Sequence, residues 1–153
     1  MTALLDQTDF RFIVRHAPLV SIDLLVTDAN GRVLVGHRSN PPAQGYWFVP
    51  GGRVRKNEAL AQAFERVTLA ELGQCFSIHD AHFKGVYEHF YAEDFTGSAE
   101  AGTHYVVLAY ALCVEAESLK LPAEQHDAYR WVSGAEGLAD TSIHANARAY
   151  FKG

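Results

Sequence analysis

Blocks of hydrophobic residues separated by polar turns predict a mixture of strands and helices along this chain. Residues 19–27 are rich in Leu, Val and Ile and predict a strand. Residues 104–115 are almost unbroken apolar sequence, as expected of a central strand. Residues 58–72 predict the best helix, which Gly73 caps at its C-terminal end. The apolar stripe of this helix consists of Leu60, Phe64, Val67 and Leu72.

Shorter segments complete the prediction. Residues 28–31 form a turn that ends in Asn-Gly, the favoured pair for a hairpin. Because strands and helices are mixed without strict β-α-β alternation, we expect one α/β sandwich with a mixed β-sheet over residues 1–153. The remaining predicted helices are 6–16 and 143–151, and the remaining strands are 32–37, 45–49, 81–91 and 129–132.

The composition is that of a soluble single domain. The chain has 153 residues, of which 48% are hydrophobic, and its net charge of −5 lacks the basic footprint of a nucleic-acid binder. No apolar run is long enough for a membrane span, and the N-terminal segment is too polar for a signal peptide. We therefore expect a cytoplasmic protein that binds neither nucleic acid nor membrane.

The two cysteines, Cys75 and Cys113, lack the paired spacing of a zinc site and lie in apolar sequence. They predict buried free thiols rather than a disulfide.

The strongest chemical signal lies in residues 51–73, GGRVRKNEALAQAFERVTLAELG. Two glycines allow the backbone to turn sharply and approach a ligand closely. Positions 67, 70 and 71 share one face of the predicted helix, and only Glu71 is acidic, since Val67 and Ala70 occupy the others. Carboxylates are hard oxygen ligands for Mg²⁺, so the face predicts a site for one cation; the alternative is a solvated helix face.

This segment resembles the Nudix box, G-x5-E-x7-R-E-U-x-E-E-x-G-U, in which U is a bulky aliphatic residue. Five positions are in register, and Val67 and Ala70 stand where two metal-binding glutamates belong. The matching residues are Gly52, Glu58, Arg66, Glu71 and Gly73.

Flanking segments make the resemblance more specific. PLVSIDLLV, NPPAQGYWFVPGGRV, THYVVLAYAL, EQHDAYRW and HANARAYF resemble the GDP-mannose mannosyl hydrolases, a branch of the Nudix hydrolase superfamily. That branch is itself marked by loss of a glutamate from the box. The resemblance implies a Nudix α/β/α sandwich, a homodimer and a requirement for Mg²⁺, which Mn²⁺ can replace.

The resemblance also implies a reaction. GDP-mannose, and also GDP-glucose, would be hydrolysed to GDP and free hexose by attack of water at the anomeric carbon, with inversion. One Mg²⁺ would neutralise the departing diphosphate. Two alternatives stay open: a conventional pyrophosphohydrolase that attacks phosphorus, and a non-catalytic sensor of nucleotide sugars.

The catalytic residues implied by the resemblance are led by His126, as general base, since imidazole titrates near neutral pH. A surface histidine beside Asp127 is the alternative. Arg38 would hold the diphosphate in a bidentate fork. Asp23 and His89 would act near the sugar, and Tyr105 would donate to phosphate. The alternatives are a surface arginine at a strand end for Arg38, a solvent-exposed position on an alternating strand face for Asp23, and packed strand positions for His89 and Tyr105.

The resemblance also implies further binding residues. The metal ligands would be the backbone carbonyl of Gly51, the Glu71 carboxylate and the side-chain oxygen of Gln125, all hard oxygen donors. Arg53 and Arg66 would bind substrate near the diphosphate. Arg66 could equally pair with Glu58 and brace the glycine segment onto the helix.

Overall fold

The central strand, β1 (Leu19–Thr27), is buried along most of its length. In the computed structural model, which describes residues 5–124 and 126–152, β1 pairs in parallel with β6 (Thr103–Cys113). It pairs antiparallel with β2 (Val33–Arg38) and with β4 (Gly51–Arg53). The sheet is therefore mixed, as the sequence predicts.

Three further strands extend this sheet on its two sides. On one side, β2 pairs antiparallel with β3 (Trp47–Phe48) and with β7 (His126–Val132). On the other side, β6 pairs antiparallel with β5 (His82–Tyr91), which lies at the edge. The described residues thus form one sheet of seven strands.

Helices cover both faces of the sheet. On one face, α2 (Leu60–Leu72) buries Phe64 and Val67 against the apolar side chains of β1. On the other face, Ile143 and the short helix α4 (Ala145–Arg148) pack against the sheet. Helix α1 (Gln7–His16) begins after its N-cap residue Asp6. The α/β/α sandwich is therefore confirmed.

Some predicted boundaries need correction around the glycine segment. The helix predicted over 58–72 begins at Leu60, which is 41% exposed and does not belong to the buried stripe. Glu58 precedes the helix and accepts a hydrogen bond from the backbone N–H of Arg55. Gly51 and Gly52 lie in a strand that pairs antiparallel with Ile22 and Asp23 of β1, rather than in a free loop.

Other differences lie in the last third of the chain. The strand predicted to begin at Tyr129 begins at His126, since pairing with β2 extends as far as Arg38. A six-residue helix, α3 (Gly134–Ala139), was not predicted; it is too short for a periodic pattern, and a capping box between Ser133 and Glu136 begins it. The predicted helix 143–151 is α4 followed by a 3₁₀ turn at Ala149–Phe151.

The cysteine prediction is half right. Cys75 and Cys113 are free thiols, but both are exposed rather than buried. Within the described residues, no helix combines the length and apolar character that a membrane span requires.

Candidate active site

A cavity of about 410 Å³ opens where β1, β2, β4, β5, β6 and α2 come together. It collects most of the predicted site residues from six separate elements, although the sequence scatters them over more than half of the chain. The predicted residues in its wall are Asp23, Arg38, Gly51, Arg53, Glu71, His89 and Tyr105.

Glu71 reaches the cavity from the end of α2. Its Oε1 accepts a hydrogen bond from the backbone N–H of Gly51 at 3.2 Å, and the residue is 9% exposed. Burial raises the pKa of Glu71, and the Gly51 N–H and the charge of Arg38 oppose that rise. A buried carboxylate is costly unless a positive charge or hydrogen-bond donors compensate it. Glu71 therefore suits a cation ligand.

The three helix positions expected to share one face have different surroundings. Val67 is 1% exposed and packs in the core, where a Cβ on Gly52 would lie 2.9 Å from its Cγ2. Ala70 is exposed, and of the three positions Glu71 alone lines the cavity. The helix consequently brings one acidic side chain to this site.

The donor set around Gly51 and Glu71 fits a hard divalent cation. It combines a carboxylate with backbone carbonyl oxygen, and Mg²⁺ favours such ligands. No cluster of three or more His, Cys, Asp or Glu side chains suited to a metal occurs within 5–124 and 126–152. The proposed set needs only one such side chain. Gln125, the third predicted ligand, lies outside the described residues.

Asp23 is the second buried carboxylate of the cavity. It is 7% exposed, and its Oδ2 accepts a hydrogen bond from the Tyr150 hydroxyl at 2.6 Å. Burial raises the pKa of Asp23 to about 7; the Tyr150 hydrogen bond and Arg38 oppose this, and the nearby Glu71 adds to it. The exposed alternating face considered from the sequence is therefore wrong for Asp23.

His89 lies beside Asp23 in the cavity wall. Its Nδ1 is 3.9 Å from Asp23 Oδ2, and its Nε2 is 3.3 Å from the Tyr150 hydroxyl. Burial, followed by the charge of His144, lowers the pKa of His89 to about 4. His89 is therefore neutral at pH 7.

Two arginines and a tyrosine are among the polar donors of the cavity. Arg38 Nε donates to the carbonyl of Pro42 at 2.8 Å, which fixes the guanidinium at the end of β2. Arg53 lies 4.9 Å from the centre of the Phe10 ring, a cation–π distance. Burial raises the pKa of Tyr105, so its hydroxyl remains a donor at neutral pH. These groups can bind phosphate oxygens.

Arg66 does not line the cavity and instead braces it. Its Nε donates to Glu58 Oε2 at 2.7 Å, and its Nη2 donates to Glu58 Oε1 at 2.9 Å and to the Arg53 carbonyl at 2.7 Å. This bidentate pair joins α2 to the segment after β4. Of the two roles left open by the sequence, the geometry favours the structural one.

His126 lies close to the cavity but outside its wall. It pairs with Arg38 across β2 and β7, and its ring packs where a Cβ on Gly36 would be, 2.6 Å from Cγ. Burial, followed by the charge of Arg38, lowers the pKa of His126 to about 4. Its Nδ1 is 3.4 Å from the Tyr129 hydroxyl, and its Nε2 has no hydrogen-bond partner among the described residues.

Sequence reasoning missed some residues of the site. Phe95 and Asn40 line the cavity, and Tyr150 supports it from behind. A lone aromatic residue in the acidic loop 92–102 could have pointed to Phe95. Nothing in the spacing points to Tyr150, because it lies 127 residues from Asp23.

The chain is similar in sequence to known proteins. The sequence model of the NUDIX domain matches residues 17–152. Over 137 residues the chain is 35% identical to the low-salt glycan biosynthesis protein Agl8 of Haloferax volcanii, covering 90% of this chain and 85% of that protein.

Solved structures show the same fold. A MutT protein from Methanosarcina mazei superposes with a TM-score of 0.70 at 23% identity, covering 89% of this chain and 92% of that one. A MutT NUDIX hydrolase from Burkholderia pseudomallei gives a TM-score of 0.71 at 23% identity, with coverage of 89% and 97%.

The Glu58–Arg66 pair leads to a prediction about stability and pH. The Arg66 hydrogen bond, more than the opposing burial, lowers the pKa of Glu58 from 4.5 to about 2. Its stabilisation is therefore fully present above pH 4.5 and is lost as the pH falls towards 2. We expect Glu58→Gln to lower the free energy of unfolding at pH 7 by about 1.5–3 kcal/mol.

Urea denaturation at several pH values measures this effect. The deficit of the variant should shrink as the pH falls from 4.5 towards 2, because the unfolded wild-type chain binds a proton at Glu58 in this range while the folded protein keeps Glu58 ionised. Glu65→Gln, on the exposed face of α2, is the matched control. A deficit that stays constant down to pH 2 would contradict the ionic origin.

Proposed function

This chain belongs to the NUDIX domain family and is a hydrolase of that family, and from this premise we propose that its substrate is GDP-mannose. Water would attack the anomeric carbon with inversion and release GDP and free mannose, and GDP-glucose is the second substrate to test. The name of the Haloferax relative, a glycan biosynthesis protein, supports a nucleotide sugar as the class of substrate.

The observation that carries this proposal is the single acidic side chain that α2 brings to the cavity. Glu71 lines the wall, whereas Val67 is in the core and Ala70 is exposed. Such a site suits one cation on a diphosphate rather than several ions around phosphorus. When bound, Mg²⁺ would neutralise charge on the GDP leaving group. Glu71 and the Gly51 carbonyl would hold it, together with Gln125.

The other groups of the cavity divide by charge. Arg38, Arg53 and Tyr105 are cationic or neutral donors and would bind the diphosphate oxygens. Asp23 and His89 occupy the same wall and would contact the sugar and orient it for attack. This division would place acceptors next to hydroxyl groups and donors next to phosphate.

His126 is our proposed general base. Its neutral imidazole and unpartnered Nε2 suit proton abstraction from water. The ring packs on Gly36 rather than in the cavity wall, so the role requires it to turn towards the substrate.

The homodimer and the cytoplasmic location also stay predictions.

The bond that breaks is the first test. Hydrolysis of GDP-mannose in ¹⁸O-water should put the label in mannose, because water attacks carbon. Mass spectrometry of the two products measures it. Label in phosphate would show attack at phosphorus, the reaction of a conventional pyrophosphohydrolase. Binding of GDP-mannose without release of GDP would show a sensor.

The metal assignment is the second test. We expect Glu71→Gln to raise the Mg²⁺ concentration needed for half-maximal turnover by roughly 10- to 100-fold, the range typical of a disturbed metal site. Titration of turnover with Mg²⁺, and Mn²⁺ binding followed by electron paramagnetic resonance, measure it. Glu65→Gln makes the same change on the exposed face of α2 and should match wild type. Equal Mg²⁺ dependence in both variants would remove Glu71 as a ligand.

The general base is the third test. We expect His126→Gln to lower turnover by about 10²–10⁴-fold, the usual contribution of a general base, while binding of Mg²⁺ and GDP remains near normal. Steady-state kinetics and calorimetry measure the two effects. His82→Gln, at an exposed position of β5, is the control. Unchanged turnover would remove His126 and make Asp23 the next candidate.

A further inference from the structure

Tyr150 lies outside the cavity but contacts two residues of its wall. It belongs to the 3₁₀ turn Ala149–Phe151, on the sheet face opposite α2. Its hydroxyl donates to Asp23 Oδ2 at 2.6 Å and lies 3.3 Å from His89 Nε2. One side chain thus joins a carboxylate of β1 to an imidazole of β5, and both of these residues line the cavity.

The direction of these hydrogen bonds follows from counting protons. A tyrosine hydroxyl has one proton to donate and can also accept. When Asp23 is ionised, its short bond to the hydroxyl uses that proton, so the hydroxyl can only accept from His89. In that state Nε2 of His89 carries the proton, and its Nδ1 presents a lone pair. The hydroxyl sets the rotamer of Asp23 and the tautomer of His89 together.

The ring of Tyr150 is itself held in place. It packs edge-on against the ring of Tyr87, with ring centroids 4.7 Å apart, and its centroid is 5.8 Å from that of the His89 ring. It also packs against the apolar cluster that contains Ile143 and Ala147. A hydroxyl on a ring fixed in this way has little freedom to leave Asp23.

We propose that Tyr150 is a positioning residue: its hydroxyl holds the Asp23 carboxylate and the His89 imidazole in the orientation that the reacting sugar requires. This role rests on the proposed function for its substrate, but the hydrogen-bond network itself does not. The competing explanation is that Tyr150 only anchors the 3₁₀ turn to the sheet. The two differ in whether Tyr150 acts through Asp23.

A double-mutant cycle separates the two explanations. The variants are Tyr150→Phe, Asp23→Asn and the combination of both. Tyr87→Phe is the matched control, because it removes a hydroxyl from the neighbouring ring, and that hydroxyl does not bond Asp23. Steady-state kinetics on GDP-mannose with Mg²⁺ give kcat and KM for each variant, and thermal denaturation checks that each is folded.

We expect Tyr150→Phe to lower kcat by about 10- to 100-fold with a smaller change in KM, since supporting hydrogen bonds of a functional site have effects of this size. Tyr87→Phe should match wild type. In the Asp23→Asn background, the loss on removing the Tyr150 hydroxyl should largely disappear, because residues that act through one another are not additive. That non-additivity would support the proposal.

Two results would overturn it. One is an unchanged kcat in Tyr150→Phe. The other is an equal loss with Asp23 and with Asn at position 23, which is the result of a structural anchor. If wild type releases no GDP from GDP-mannose, the proposed function fails on its own. The cycle is then read from the calorimetric affinity for GDP-mannose with Mg²⁺, where coupling supports the positioning role and additivity or no effect overturns it.

Discussion

The absence of a side chain at position 51 is the constraint on which the whole site depends. A Cβ there would lie 2.5 Å from the carbonyl oxygen of Ile22 and 2.6 Å from Asp23 Oδ1, distances that real Cβ atoms do not adopt. Because the position is glycine, β4 can pair closely with β1 while its N–H reaches Glu71. Strand pairing, the orientation of Asp23 and the orientation of Glu71 are therefore one arrangement rather than three.

The Glu58–Arg66 pair maintains this arrangement from outside. Arg66 also bonds the carbonyl of Arg53, at the end of β4, so the charged pair, the strand and the helix form one connected unit. The distance from Gly51 and Gly52 to Glu71 is then fixed by the backbone and by the bidentate Glu58–Arg66 pair. Both are stiffer than a single long side chain. The proposed binding of a cation and a diphosphate would need this rigidity.

Much of this could be predicted from the sequence, and the reasons for success and failure are physical. Strand β1 was predicted with its observed bounds, since a strand covered on both faces has a continuous apolar run. Helix α2 was predicted two residues too long, because Glu58 fits a helical pattern until its bond to the Arg55 N–H is known. Patterns along the chain report local periodicity well and cap geometry poorly.

Contacts between distant segments were the harder part. The cavity brings together Asp23, Arg38 and His89 from three strands and Glu71 from α2. Their meeting depends on the order of the strands in the sheet. A single sequence does not give that order, and the resemblance was the only guide to it. The resemblance placed these residues near the reaction without their burial or hydrogen bonds. The resemblance also did not indicate that the His126 ring packs against Gly36, or that the Tyr150 hydroxyl bonds Asp23.

The parallel pairing of β1 with β6 has a consequence for how the protein forms. The two strands are separated in the chain by β2, β3, β4, α2 and β5, so the ribosome makes the segment from β4 to α2 long before β6 exists to pair with β1. Pairing between segments so far apart is slow, because a long loop must close before any contact rewards it. During synthesis, the edge of β1 that later pairs with β6 is therefore unpaired. This apolar strand edge stays exposed until chaperones or later residues of the chain cover it.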